Sequence, residues 1–250
     1  MNILRILGVI PSRYNSTRLS GKPLADILGK PMLRHVYERA QRASALDGLV
    51  AAVDDERVAE MCRNYGMKYI MTSSEHDTPT SRIYEVSQHI DADYYEFISG
   101  DEPLIDIHAV NGAALEAEKS GAEAVNAMTK VESASEIIDP SNIKVAVDDD
   151  GFLLYATRSI IPYPKGSLDF DYMKFVGIGV FSRRALEIFN NAPRSRLEKI
   201  EDCDLLRFII NGVRVKMVEV KCRSLSVDTP KDLEYVRTLM VNEAGHDSAS

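Results

Sequence analysis

The chain has 250 residues, enough for one large or two small domains at about 150 residues per domain. Its 45% hydrophobic and 27% charged content fits a soluble globular protein, and a net charge of −8 argues against sequence-independent binding to nucleic acid. The N-terminal apolar run is cut at Pro11, too short for a signal peptide or a membrane span, and Cys62, Cys203 and Cys222 are scattered and odd in number, which suits a reducing cytoplasm.

The first expected element is a buried strand, Ile6 to Ile10. It opens at Pro11 into a polar loop with three cations, Arg13, Arg18 and Lys22, the last bracketed by Gly21 and Pro23. In open α/β sheets ligands sit beyond the carboxyl ends of strands. Small residues let backbone N–H groups approach oxygens, and cations offset charge, so such a loop suits a polyphosphate. The spacing is neither a Walker A loop nor Gly-x-Gly-x-x-Gly.

Further along, Met32, Leu33, Val36 and Ala40 fall on one helical face. Leu49 to Val53 reads as a strand, with Asp54 and Asp55 capping a helix through Val58, Met61, Cys62 and Tyr65. Lys68 to Met71 reads as a third strand. His76 to Arg82 is polar and precedes a helix bearing Ile83, Val86 and Ile90. Tyr94 to Ile98 is a fourth strand, ending at Ser99-Gly100-Asp101-Glu102-Pro103, and a helix from about Ile107 to Ser120 follows. This alternation predicts an α/β fold with a doubly wound, mostly parallel sheet.

The texture then changes. Val125 to Val131, Ile143 to Val147 and Phe152 to Ala156 read as strands without long helices between them, with a hairpin at Asp150-Gly151. Pro162, Pro164 and Gly166 mark a long loop before a strand from Phe175 to Phe181. Helices are expected over Arg184 to Asn190 and Arg196 to Ile210, then a strand from Val213 to Val220. A last helix runs through Leu233, Val236 and Met240, with fraying from Glu243 on. The expected organisation is one nucleotide-binding domain, 1–250, with an inserted strand-rich lobe at about 130–185.

Asp101 and Asp228 each follow a predicted strand. Magnesium prefers oxygen ligands and is commonly held by one or two carboxylates plus substrate phosphates, so this pair is the candidate metal site. No Cys-x-x-Cys or His-x-x-x-His spacing points to zinc, and no Ser-His-Asp or Cys-His set emerges.

The stretch IPSRYNSTRLSGKPL resembles the opening loop of the cytidylyltransferases that activate acidic sugars, above all the 3-deoxy-manno-octulosonate cytidylyltransferases. Gly-Asp-Glu-Pro at Asp101 and Val-Asp-Thr-Pro at Asp228 match that family in order. His76, Thr80 and Arg82 match part of its H-x-S-G-T-D-R segment. The family shares a nucleotide-diphospho-sugar transferase-like, Rossmann-like fold. The resemblance implies that Pro11, Ser12, Arg13, Ser16, Thr17, Arg18 and Lys22 hold the CTP triphosphate, with His76, Thr80, Arg82 and Asp101 completing the nucleotide site. Lys22, Arg13 and Asp101 would serve catalysis, with Mg2+ on Asp101 and Asp228. Ser99, Glu102, Arg158, Phe175, Gly177, Asp204 and Leu205 fall on the sugar side, where Arg158 could clamp a substrate carboxylate bidentately.

The implied reaction is CMP transfer from CTP to an acidic sugar with release of pyrophosphate, by a cytoplasmic homodimer built on the inserted lobe. Another anionic acceptor, such as a nonulosonic acid or a phosphonate, and a catalytically silent nucleotide sensor are the alternative readings. The departures from the family are concentrated on the sugar side. Ser99 replaces a Gln. Phe175-Val176-Gly177-Ile178-Gly179 replaces His-x-Gly-Ile-Tyr. Asp204-Leu205 replaces Glu-Gln. Polar groups give way to apolar or shorter ones, which predicts a changed acceptor pocket.

Overall fold

The computed structural model of the protein describes residues 4–15 and 19–247. Ser16, Thr17 and Arg18 of the opening loop lie outside the described residues.

The elements run β1 (Ile6–Ser12), β2 (Asp26–Ile27), β3 (Lys30–Pro31), α1 (Met32–Ala40), β4 (Gly48–Val53), α2 (Glu56–Asn64), β5 (Tyr69–Met71), α3 (Pro79–His89), β6 (Tyr94–Ile98) and α4 (Ile107–Ser120). After these come β7 (Ala124–Lys130), α5 (Ala134–Ile138), β8 (Lys144–Val147), β9 (Leu153–Thr157), β10 (Met173–Ser182), α6 (Arg183–Asn191), α7 (Arg196–Glu201), α8 (Leu205–Ile210), β11 (Val215–Glu219) and α9 (Pro230–Asp247).

The main sheet has the order β11-β7-β10-β6-β1-β4-β5. β1 pairs in parallel with both β4 and β6, and β4 with β5. β10 is antiparallel to β6 and β7, and β11 is parallel to β7. The chain therefore builds outward from β1 through β4 to β5, then returns to the other side of β1 with β6. The loops after β1 and β6 part company there and leave a crevice, as at the switch point of any doubly wound sheet. β1 is apolar on both faces because each is covered. Ile6 and Ile10 join the core with α1 and α4, whereas Leu7 and Val9 join the core with α3 and α6.

The β8–β9 hairpin turns at Gly151, whose φ of 76° is left-handed and suits glycine. β8 also pairs with the first part of β10. The later part of β10 lies inside the main sheet between β6 and β7.

Several local expectations change. α3 starts at Pro79, so Thr80 and Arg82 are helical and do not precede the helix. Thr78 caps it by accepting from Ser81 N at 3.1 Å, and Pro79 needs no N–H at the first position. The stretch from Arg196 to Ile210 breaks between α7 and α8 at Asp202, which takes a left-handed φ of 48°. No strand precedes Asp228: β11 ends at Glu219 and the following segment is irregular. α9 continues through Glu243 to Asp247. The short α5 and the β2–β3 pair have no counterpart in the expected elements.

Glu96 of β6 is fully buried, and neither carboxyl oxygen has a hydrogen-bond partner among the described residues. Burial alone pushes its pKa well above the ordinary carboxylate range. The folded state keeps the Glu96 proton after the unfolded chain has lost it, so this group costs stability as pH rises above the unfolded pKa of about 4.3. Glu96→Met should therefore stabilise the protein, and its advantage in urea denaturation should grow between pH 4.5 and pH 8. An advantage independent of pH would contradict a neutral, unpaired Glu96.

Candidate active site

A cleft of about 510 Å³ opens at the carboxyl ends of β1 and β6. Pro11, Ser12, Arg13 and Lys22 form one side and His76 to Thr80 with Arg82 another. Ser99, Gly100, Asp101 and Asp228 form the floor near the switch point. Arg158, Phe175, Asp204 and Leu205 close the far side, together with Phe97, Asn126 and Phe181. Most residues singled out in the sequence thus meet in one cavity.

At its centre stands Lys22, on a 3-10 turn from Lys22 to Leu24. Its Nζ donates to Asp101 Oδ2 at 2.6 Å and to Asp228 Oδ1 at 2.9 Å. The Lys22 side chain is 12% exposed, so this is a partly desolvated cation between two carboxylates. Two further bonds hold Asp101. Ser99 Oγ donates to its Oδ1 at 2.7 Å, and Val227 N donates to its backbone carbonyl at 2.8 Å. The second bond explains how Asp228 arrives: residue 227 is tied to residue 101 directly, with no strand needed. Beyond it Asp232 accepts from Thr229 N at 2.8 Å and Asp228 N at 3.2 Å, securing the start of α9.

Tyr14 marks the neck of the opening loop. Its carbonyl accepts from Gly21 N at 3.2 Å, and its own N–H donates to Asp54 Oδ1 at 2.9 Å. Arg57 stacks over the Tyr14 ring at 3.5 Å. Arg82 is 3% exposed and spends its guanidinium on Asp54 Oδ2 at 2.9 Å and Thr72 Oγ1 at 2.6 Å. It therefore orients Asp54, and through it Tyr14, while Arg13 lines the cleft exposed.

His76 contacts Glu85 of α3 through Nε2, and Glu85 also accepts from Ser73 N at 2.9 Å. Burial pushes Glu85 up, but the bonds from His76 and Ser73 outweigh it and leave the carboxyl below its ordinary range. The loop before α3 is thereby held to the helix it precedes. Thr80 Oγ1 donates to Asp204 Oδ2 at 2.7 Å, joining α3 to the start of α8. Desolvation pushes Asp204 up, with the Thr80 bond acting against it.

Three sugar-side residues take positions other than expected. Glu102 does not line the cleft. It is 4% exposed and turned inward, where Oε2 accepts from Ser224 Oγ at 3.0 Å, and burial together with the Asp101 charge pushes it up to about 7. Gly177 also lies behind the wall, and a Cβ there would meet Glu102 Oε1 at 2.6 Å. Arg158 reaches the cleft, yet its guanidinium donates to three backbone carbonyls: Glu201 at 2.8 Å, Pro140 at 2.8 Å and Asp202 at 3.4 Å. Those three donors brace the wall, and they are three of the five N–H groups that a guanidinium carries. The same wall rests on a bidentate, buried pair of Arg207 with Glu198, the latter also closing a capping box on Ser195.

Sequence reasoning missed Asp54, Glu85, Phe97, Asn126 and Phe181. None stands in a motif that marks it, and only the cross-strand arrangement brings the last three to the cleft. Among the described residues no group of three or more His, Cys, Asp or Glu side chains forms a metal cage. No helix among them is long and apolar enough to cross a membrane.

Comparison with known proteins gives a consistent result. A family model described as Cytidylyltransferase matches residues 7–218. The 3-deoxy-manno-octulosonate cytidylyltransferase of Escherichia coli is 40% identical over 235 residues, covering 94% of this chain and 96% of its own. The protein of the same name from Solibacter usitatus is 41% identical over 237 residues, covering 94% of each. A solved structure of CMP:2-keto-3-deoxy-manno-octonic acid synthetase complexed with CTP superposes with a TM-score of 0.91 at 38% identity, covering 96% of this chain and 99% of the other. A putative glucose-1-phosphate thymidylyltransferase from Bacillus anthracis, 16% identical with a TM-score of 0.67 and covering 94% of each chain, shares the fold.

Proposed function

Since the chain belongs to the cytidylyltransferase family, in its 3-deoxy-manno-octulosonate branch, we infer that it transfers CMP from CTP to 3-deoxy-manno-octulosonate or a related sugar acid and releases pyrophosphate. The observation that carries this reading is the meeting of Lys22, Asp101 and Asp228 at the mouth of β1 and β6. The sugar hydroxyl oxygen forms the new bond to the α-phosphorus as the bond to the β-phosphate breaks. No covalent enzyme intermediate is needed, so catalysis rests on positioning and charge stabilisation. Lys22 and Arg13 face the charge that gathers on the departing pyrophosphate. Ser99 fixes the Asp101 carboxylate, and the Arg82–Asp54 pair sets the neck of the triphosphate loop.

The carboxylates fit magnesium. Both already surround one cationic centre, the Lys22 ammonium, and both are hard oxygen donors beside an open cleft with room for phosphate and water. Asp101 and Asp228 would hold the ion, which when bound supplies Lewis acidity and charge neutralisation at the phosphates. A homodimer is supported by large apolar side chains left in water, Tyr163 at 84% and Leu168 at 83% exposure, in the loop between β9 and β10. Sedimentation at twice the 27.9 kDa chain mass is the expected reading, and a monomer at micromolar concentration would contradict it. A cytoplasmic setting is supported by three free cysteines. Recovery of the protein from an oxidising compartment with those thiols paired would oppose it.

The test is steady-state pyrophosphate release with CTP and a panel of sugar acids and phosphonates. Release that requires one sugar acid supports the reading. Release with phosphonates alone would move the acceptor to another class.

A further inference from the structure

Asn126 of β7 stands on the sheet face that floors the far side of the cleft. In register it lies opposite Gly179 of β10, which in turn lies opposite Phe97 of β6. Asn126 is 1% exposed, and its Nδ2 donates to Ala127 O at 2.8 Å and Val176 O at 3.1 Å. Two carbonyls at that end fix the orientation of the carboxamide, because an oxygen placed there would face two acceptors. The other end, Oδ1, finds no donor among the described residues. Buried acceptors are rarely left so, and an orphan bordering a cleft points to a donor that arrives with a ligand or an ordered water.

The neighbours sharpen this. A Cβ at position 179 would lie 2.8 Å from Asn126 Oδ1 and 2.8 Å from Phe181 Cζ. Glycine there leaves the room that the carboxamide oxygen occupies, at the position where the resembling family motif carries Tyr. Phe97, Phe175, Phe181 and Leu205 line the same part of the cleft and supply no side-chain donor. Asn126 Oδ1 thus stands among apolar rings, on the side of the cleft that Arg158 and Asp204 also close.

We infer that Asn126 Oδ1 accepts a hydrogen bond from a hydroxyl of the acceptor sugar, directly or through one water, and is a specificity-determining residue of the transfer. The inference rests on the reading of CMP transfer to a sugar acid. A site built to hydrogen-bond a hydroxyl discriminates strongly against an analogue without it, whereas apolar walls discriminate weakly.

The experiment measures kcat/KM at saturating CTP for 3-deoxy-manno-octulosonate and for analogues each lacking one hydroxyl, with the wild type and with Asn126→Leu. Asn126→Leu should lower kcat/KM for the full sugar by roughly tenfold or more, a modest share of what a hydrogen-bonding site can discriminate. It should leave the KM for CTP unchanged, and the loss should vanish for one particular deoxy analogue. Gly179→Ala, which crowds Oδ1 without removing it, should give the same analogue pattern and keeps the test alive if the first variant does not fold. An equal loss on every analogue, or no loss on any, overturns the inference while CMP transfer stands. A wild type that releases pyrophosphate with no sugar acid overturns the underlying reading and this inference with it.

Discussion

Asp101→Asn and Asp228→Asn should each reduce turnover on the order of a hundredfold or more, the scale of losing one preorganised electrostatic stabiliser of a transition state. Asparagine keeps the shape of each side chain and removes its charge. Both carboxylates converge on the Lys22 ammonium, so either change halves the negative charge that faces a cation at the centre of the cleft. The fold should persist in both variants. The side chains are 29% and 33% exposed, and a partly exposed ion pair contributes little to stability because water screens it. The neighbourhood of Asp101 is held mainly by its backbone carbonyl, which accepts from Val227 N and does not change with the side chain. Near-normal kcat of either variant at saturating magnesium would remove that residue from the metal site.

Lys22→Ala should weaken CTP binding, slow turnover, or both, by about ten- to a hundredfold in kcat/KM for CTP. That range corresponds to the roughly 1.5–3 kcal/mol of a hydrogen bond to a charged group. The acceptor preference should stay the same, since among the described residues Lys22 bonds to Asp101 and Asp228 and to no sugar-side residue. Its two partners make the effect large. Without the ammonium, Asp101 and Asp228 face each other and the incoming phosphates without the Lys22 charge between them. CTP affinity and turnover both unchanged in the variant would show that Lys22 stands outside the nucleotide site.

Much of the fold was legible because its signals are local. The apolar stripe of α1, the unbroken apolar run of β1 and the Asp55 cap of α2 are visible in short windows. The onset of α3 at Thr78-Pro79 was missed, because the polar run HDTPTSR hid it. The break at Asp202 was missed too, because a left-handed residue other than glycine leaves no mark in the sequence. The polar end of α9 lacks the apolar period that would announce a helix.

In the site, the motifs around Lys22, Asp101 and Asp228 named the right neighbours. What they could not supply is the bond from Val227 to Asp101 that replaces a strand, because it joins distant parts of the chain. The same holds for Arg158. No motif shows that the guanidinium of this cleft residue also donates to the carbonyls of Pro140, Glu201 and Asp202. Asn126 reads as one polar residue in AVNAMTK. Only the register with Gly179 and Phe97 brings it to the cleft wall.

The central claim is transfer of the CMP unit itself. It is tested most directly by incubating the protein with magnesium, CTP labelled at the α-phosphate and 3-deoxy-manno-octulosonate or a related sugar acid, then following the label. The account predicts that the label appears in a CMP-sugar, with one pyrophosphate formed for each labelled product. Label that stays in CTP with every sugar acid, or passes only to free CMP or CDP, would contradict it.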